Sequence, residues 1–527
     1  MFRLSCRFTI LLLVCALSLP VSAAANSYFS IDRDGDGYGV GEVGLKGPDA
    51  DDSDPTVNTP ASVKVKYLDL SLFLAKKNYH PDRIIVVCAE ESVFEGNCST
   101  WSDAKKTIRP GDLVLFREGT YHHQIKLKNV IATKSHPIVL MAYPGERVLF
   151  DNCGSGRNSA CFDFKGVQGI VVDGIWFDNA GNNGVANGIY ANGSTHYDWG
   201  PVNGLVIRNV LAKNLKTGFR GMQNVHGVRI ENSVVHDTLS HAVYFGTRHD
   251  QPSNTDISIE NSIFYRAAQK IDGRFCVQHN GMVDLLRIEK NICHSNFTGG
   301  GISIVNGATE ATLKNNLIFN NAKQGIVFYA YKGKSSSAKK RDFLNNRIIN
   351  NTIWVGKNSV NGDEKPLHHP GIHFNDSTGK IDILYTEIRN NIIATQSGTP
   401  IEFLQEKALP STVIKNNLFF NTREDTLAQL LSFKAEDAVA VGKTKYNVDE
   451  IEEMSDLISN NSYAAPGFRN ASIDLFKQPA KFDFRLSADS PARDFSQPLP
   501  HINLGDDLFG NLRNDGRIDA GCYEYGE

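Results

Sequence analysis

Short apolar runs broken by asparagine recur through the middle of the chain: LVIRNVLA, VRIENSVVH, ISIENSIFY, LRIEKNICH, ATLKNNLIF, RIINNTIWV, TEIRNNIIA and TVIKNNLFF. Each reads as two brief strands joined by an asparagine turn. A third strand closes each unit: NGIYAN, TGFRGM, HAVYFG, GRFCVQ, GGISIV, QGIVFY, PGIHFN and TPIEFL. Its third and fifth residues are mostly apolar and point inward, while the fourth and sixth alternate outward. The turn column runs Gly174, Asn209, Asn232, Asn261, Lys290, Asn315, Asn350, Asn390, Asn416.

Three strands per unit, with equal positions stacked at ~4.8 Å, predict an all-β right-handed parallel β-helix whose asparagines stack and bond along the file. One coil cannot bury its own apolar face, so the unit must repeat. Nine aligned turns argue against a β-sandwich with accidental similarity. Beyond Thr422 the repeat lapses: EDTLAQLLSF and VDEIEEMSDLIS have helical spacing and predict an elaboration packed on the solenoid. The expected organisation is a signal peptide (1–25), an acidic segment (26–60), a cap with the first coils (61–165), the β-helix core (166–421) and a closing region (422–527).

The first residues, MFRLSCRFTILLLVCALSLPVSAAANS, place Arg3 and Arg7 before an apolar run and Val21-Ser22-Ala23 after it, the pattern of a cleaved secretory signal. Its loss would take the formal net charge from −3 to about −5, with no basic tail for nucleic acid. No other segment is long and apolar enough to span a bilayer. Seven cysteines lie beyond the signal, and Cys88/Cys98 and Cys153/Cys161 each close a short polar loop as local disulfides do in an oxidising compartment. Cys276 and Cys293 are either buried thiols or a bridge between neighbouring coils, and the odd count leaves one thiol over.

Near the start, IDRDGDGYGVGEVGLKGPDADDSDP spaces Asp32, Asp34 and Asp36 at alternate positions with Gly35 and Gly37 between, then adds Asp49, Asp51, Asp52 and Asp54. Calcium requires six to eight oxygen ligands, and glycine between aspartates lets a tight loop turn several carboxylates to one centre. The alternative is a solvated acidic linker. The run is similar to the calcium-binding loops of thrombospondin-type repeats, which implies Ca2+ on these seven aspartates in a structural role, and a catalytic role stays open. IRPGDLVLFREGTYHHQIKLKNV and the tail GDDLFGNLRNDGRIDAGCYEY resemble the opening and closing segments of secreted, pectate-lyase-like β-helix proteins such as alginate lyases and chondroitinases. That resemblance is specific for the fold and weak for activity, because the fold also hosts epimerases, hydrolases and adhesins.

In a solenoid, chemistry must sit on outward positions and on the loops beside them. The outward column of the third strand reads Tyr190, Arg220, Tyr244, Cys276, Ser303, Val327, His373, Glu402, and the next Asn192, Met222, Gly246, Gln278, Val305, Tyr329, Asn375, Leu404. Arg274 falls where most coils carry glycine, and such a break in a local rule marks a functional or strained position. Around it gather Lys270, Asp272, Gln278, His279 and Asn280, with His241, Tyr244, Arg248, His249, Tyr331 and Lys332 close by.

Lysine, arginine, histidine and tyrosine together suit β-elimination of a uronic-acid polymer, in which a cation neutralises the sugar carboxylate, a base takes the C5 proton and an acid protonates the leaving oxygen. The expected parts are Arg274 or Arg220 as neutraliser, Lys270 or His241 as base, and Tyr244 or His279 as acid. Substrate contacts are expected from Arg220, Arg248, His249, Gln278, Tyr329, Tyr331 and His373. The expected protein is a secreted monomer acting on an acidic polysaccharide as a lyase or epimerase. Two readings compete: a glycoside hydrolase drawing on Asp250, Asp256, Asp272 and Asp284, and a non-catalytic sugar-binding or cell-surface protein.

Overall fold

Each unit folds as its pattern dictates, two strands at an asparagine turn and a third after a second turn, and the coils stack into three parallel sheets. The computed structural model describes residues 29–525 except 68–69, 90–97, 157, 183–184, 196–197, 248–251, 272, 331–340, 357–368, 377–380, 397, 404–410, 422–430, 434–444, 472–480 and 514–515. The first sheet begins at Arg83–Val87 and ends at Ile458–Ser459, the second runs from Gly119–Tyr121 to Ser462–Tyr463, and the third from Ile125–Lys128 to Lys445–Tyr446. The last strand of the third sheet pairs antiparallel with Leu431–Phe433, and the coil-to-coil pairings before it are parallel. This is the expected right-handed parallel β-helix.

Inside, each sheet stacks like residues on like. In the first sheet Ile207, Ile230, Ile259, Ile288, Leu313, Ile348 and Ile388 are in register and buried. Each such side chain contributes about 1.5–3 kcal/mol of burial, which only a stacked neighbour makes available.

The turn between the first and second sheets explains the asparagine column. Asn209, Asn232, Asn261, Lys290, Asn315, Asn350, Asn390 and Asn416 all have φ between 49° and 58°, and Gly174 has φ 72°. Asparagine tolerates this left-handed conformation better than other residues with a Cβ. The file that bonds side chain to side chain is one residue further on, which corrects the expected ladder. Asn291, Asn316, Asn351, Asn391, Asn417 and Asn461 each accept at Oδ1 from the backbone N–H of the residue one coil earlier, at 2.9–3.1 Å. From Asn291 to Asn417 each amide Nδ2 also donates to the next Oδ1, at 2.9–3.1 Å.

The glycine column of the third strand has a packing cause. A Cβ on Gly325 would meet Ile353 Cγ2 at 2.4 Å, and one on Gly371 would meet Ile393 Cγ2 at 2.3 Å. The register of the neighbouring strands corrects the expected alignment of GRFCVQ by two residues: Val277 pairs with Val243 and Ile302, and Gln278 with Tyr244 and Ser303. Cys276, not Arg274, therefore stands in the glycine column, and Gln278, not Cys276, in the outward one. Cys276 fits there because the facing aliphatic side chain is itself replaced by Cys293, with which it forms a disulfide between coils. Cys88–Cys98 and Cys153–Cys161 are also bonded, and Cys522 is left as a buried thiol whose pKa burial pushes up to about 12.

The outer face of the second sheet is apolar and is covered from both ends of the chain. Ile31 and Val40 pack on it beside Trp176, Leu211 and Val234, and Phe482, Phe484 and Tyr523 pack on it beside Phe319 and Trp354. A file of stacked rings, His236, Tyr265, His294 and Phe319, runs along this face. The helices Pro60–Tyr67 and Leu70–Lys76 cover the start of the first sheet through Val63, Phe73 and Leu74. Of the expected helical elaboration, Val448–Met454 is a helix with an Asn447/Glu450 capping box, whereas Leu431–Phe433 is a strand paired with Ile401–Phe403, because its Leu-Ser-Phe alternation matches the strand period. The other residues of EDTLAQLLSF lie outside the described ones.

Candidate functional site

With two sheets covered or densely ion-paired, the outer face of the third sheet carries the groove. A cavity of about 430 Å3 lies on it across four successive coils. At the start of the strands it is lined by Arg274 and Lys323, at mid-strand by Gln278, Ser303 and His373, and at the far side by Asn280, Tyr329 and Asn375. Among the described residues its wall contains no carboxylate. The structure thus brings together five of the expected residues: Arg274, Gln278, Asn280, Tyr329 and His373.

The cavity wall contains polar atoms with nothing to bond. Arg274 Nε, Gln278 Oε1, His373 Nε2 and Asn375 Oδ1 are buried without a hydrogen-bond partner. Such atoms cost about 1–3 kcal/mol each unless a ligand or water satisfies them. Their convergence on one cavity is what a polar ligand would relieve.

His373 sits at the centre of this wall. Gln324 Nε2 lies 3.4 Å from its Nδ1, and the carboxylate of Glu402, one coil on, lies 3.5 Å from its Nε2. Burial, aided by the nearby His369, lowers its pKa to about 4, so the ring is neutral at pH 7. Donation from Gln324 leaves Nδ1 as the acceptor and puts the ring proton on Nε2, facing Glu402.

The remaining expected residues divide. Arg220 and Tyr244 continue the outward column beyond Gln278, and the Arg220 guanidinium lies over the Tyr190 ring at 5.1 Å and the Tyr244 ring at 6.0 Å while donating to Asn158. His241 is buried, stacks on Tyr244 at 4.9 Å and accepts at Nδ1 from the Phe275 N–H at 3.1 Å. Burial, with Arg274 nearby, lowers its pKa to about 3, and Nδ1 also lies 3.3 Å from the Phe275 carbonyl, so the Phe275 backbone offers a partner to either tautomer. His279 pairs in register with Phe245 and Ile304, faces the interior and is bonded to Asn254, so it does not reach the groove. Lys270 is exposed in the insertion before Arg274 and does not line the cavity. Arg248, His249, Tyr331, Lys332 and Asp272 lie outside the described residues.

Lys323 and Gln324 went unread in the sequence. Their signal emerges only with the corrected register, which puts Lys323 in the row of Arg274 with Gly299 between them.

The acidic segment forms a separate centre. Carboxylate oxygens of Asp32, Asp34 and Asp52, and of Asp34, Asp36 and Asp49, come within 4.8 Å of one another in two groups that share Asp34. Asp34 Oδ2, Asp36 Oδ2 and Asp49 Oδ2 are buried without partners. Burial pushes the pKa of Asp49 and of Asp52 up to about 7 and also raises that of Asp34. Crowded, unpartnered carboxylates held by glycine turns fit a hard cation. Asp51 and Asp54 face elsewhere: Asp51 pairs with Lys76 at 2.5 Å and Lys77 at 3.1 Å, and Asp54 with Lys76 at 3.2 Å. Burial would raise the Asp51 pKa, but these lysines outweigh it and hold it below the usual carboxylate range. The segment is tied to the solenoid by Lys213–Glu42 and by the Arg33 hydrogen bond to Asn232.

No family model and no curated protein matches this chain. Among solved structures, the chain is similar to the pectate lyase Pel9A at 16% identity and TM-score 0.43, over 86% of this chain and 98% of that one. It is similar to a rhamnogalacturonan lyase at 14% identity and TM-score 0.44, over 82% and 97%. The periplasmic alginate epimerase AlgG is similar at 12% identity and TM-score 0.36, over 70% and 89%. The fold assignment rests on the strand register above. No helix among the described residues is long and apolar enough to cross a membrane.

Proposed function

We propose that this is a secreted or periplasmic carbohydrate-active enzyme that acts on a uronic-acid polysaccharide by proton abstraction and β-elimination, as a lyase or an epimerase, in the third-sheet groove. The observation that carries this reading is the cavity wall itself: a partly buried arginine and a lysine, four buried polar atoms without hydrogen-bond partners, a neutral histidine, and no carboxylate among its described residues. Three disulfides support an oxidising compartment.

In this reading Lys323, one coil from His373, neutralises the carboxylate of the sugar that loses its C5 proton and stabilises the enolate, while Arg274, two coils further back, binds the carboxylate of another sugar. His373 takes that proton at Nδ1, the lone pair that Gln324 now covers, and Glu402 stabilises the resulting imidazolium through Nε2–H. The electron pair forms the C4–C5 double bond as the C4–O4 bond breaks, and the Tyr329 hydroxyl protonates the departing oxygen. Reprotonation of C5 from the opposite face instead gives epimerisation. This assigns the base to His373 rather than to Lys270 or His241, and the acid to Tyr329 rather than to Tyr244 or His279.

A hydrolase needs two carboxylates across one cleft. Asp256 and Asp284 stand on the first sheet, Asp256 engaged by Arg229 and Arg287 and Asp284 by Arg341, while Asp250 and Asp272 lie outside the described residues. Incubation with a panel of uronic-acid polymers should give the ultraviolet absorbance of an unsaturated product, or, for an epimerase, exchange of the C5 hydrogen with solvent. New reducing ends without either signal would replace this reading with hydrolysis.

Asp32, Asp34, Asp36, Asp49 and Asp52 would hold Ca2+, which supplies charge neutralisation and cross-links the segment that covers the second sheet. Chelation should lower the melting temperature by on the order of 5 °C, reversibly on adding calcium back, and Asp49→Asn should abolish the response. Identical calorimetric traces with and without calcium would refute this assignment.

A further inference from the structure

The row that opens the groove alternates cation and gap. Lys323 N bonds to Gly299 O, and Gly299 lies directly against Arg274, so Arg274 and Lys323 stand two coils apart with only glycine between. Gly299 has no room for more: a Cβ there would lie 1.4 Å from Arg274 O. The cations are therefore separated by two strand spacings, ~10 Å along the solenoid axis, over a floor without side chains.

A 1,4-linked pyranose chain advances by roughly one strand spacing per sugar (~4.8 Å). In its extended two-fold form successive sugars are flipped, so carboxylates facing one side recur at every second residue. Resting on the proposed site, we infer that the groove binds its polymer along the solenoid axis and reads a uronate at alternate sugars, one carboxylate at Arg274 and the next at Lys323. The sugar between them lies over Gly299 with its C6 group turned away, and its hydroxyls meet Gln278 and Ser303, which share the mid-strand row. A two-fold homopolyuronate and a copolymer alternating uronate with neutral sugar present the same two carboxylates.

The test is calorimetric binding of defined trisaccharides to the full-length protein. The reference has three uronates, the second ligand has a neutral sugar in the middle, and two others have one terminal carboxyl reduced to the alcohol. A neutral middle sugar is expected to leave Kd within about twofold, and reduction of either end to weaken it about tenfold. Lys323→Gln should make the protein indifferent to reduction at one end only, and Arg274→Gln at the other. Loss of affinity with the neutral middle sugar, equal binding after terminal reduction, or no binding of any of the four would overturn the inference. The reduced ligands test it on the unaltered protein even if a variant fails to fold. Coupled carboxylates without elimination or exchange would leave alternate reading standing and refute the proposed reaction, whereas turnover without coupling would do the reverse. Which whole polymer is turned over, homopolymer or alternating copolymer, then identifies the source of the carboxylates.

Discussion

Asn391→Ala is expected to destabilise the protein by about 3–5 kcal/mol, more than any single truncation of an exposed residue. Asn391 Nδ2 donates to the carbonyls of Ile348 and Arg389, both at 2.9 Å, and to Asn417 Oδ1 at 2.9 Å. Its Oδ1 accepts from the Asn351 N–H at 2.9 Å and from Asn351 Nδ2 at 3.0 Å. Ile348, Asn351 and Asn417 are fully buried and Arg389 is half-buried, so the truncation strands polar groups where water does not reach. Asn416→Ala, in the left-handed column, should cost only the strain of an alanine at φ 56°, about 1–2 kcal/mol. Denaturant melts of the two variants decide the point, and equal losses would show that the ladder adds nothing beyond turn conformation.

The second large effect is chemical. Lys323→Ala should lower kcat on a uronic-acid polymer by about 10²–10³-fold, the usual scale for removing one preorganised stabiliser of a developing anion. Lys270→Ala, at an exposed position off the cavity, should change kcat/KM by no more than about twofold. If Lys270→Ala is the inactive variant and Lys323→Ala the active one, the groove is the wrong part of the surface.

The solenoid was readable because its determinants are local. An asparagine in a left-handed turn, an alternating strand and a glycine facing an isoleucine leave the same mark in every coil. The stacked ladder was placed one residue early because adjacent Asn-Asn pairs, such as Asn390-Asn391, carry both roles and only the backbone conformation separates them. The site was less legible. The insertion ahead of Phe275 supplies a Gly-Arg pair that imitates the start of a third strand, while the true column position is filled by Cys276 through a bond to a residue in the next coil. A slip of two residues preserves the face, which is why Gln278 still read as outward. It hid the row shared by Arg274 and Lys323, and with it the groove's second cation. His279 was drawn into the site by its polar neighbours, although its register with Phe245 and Ile304 makes it an interior residue. The cover on the second sheet depends on the two ends of the chain meeting one apolar face, a contact that no local pattern encodes.

A crystal structure of the protein with a uronic-acid oligosaccharide tests the central claim most directly. The sugar chain should lie along the third sheet with carboxylates against Arg274 and Lys323 and the C5 of the sugar at Lys323 facing His373 Nδ1. Density for the sugar on another face, or in the groove with its carboxylates turned to solvent, would contradict the account.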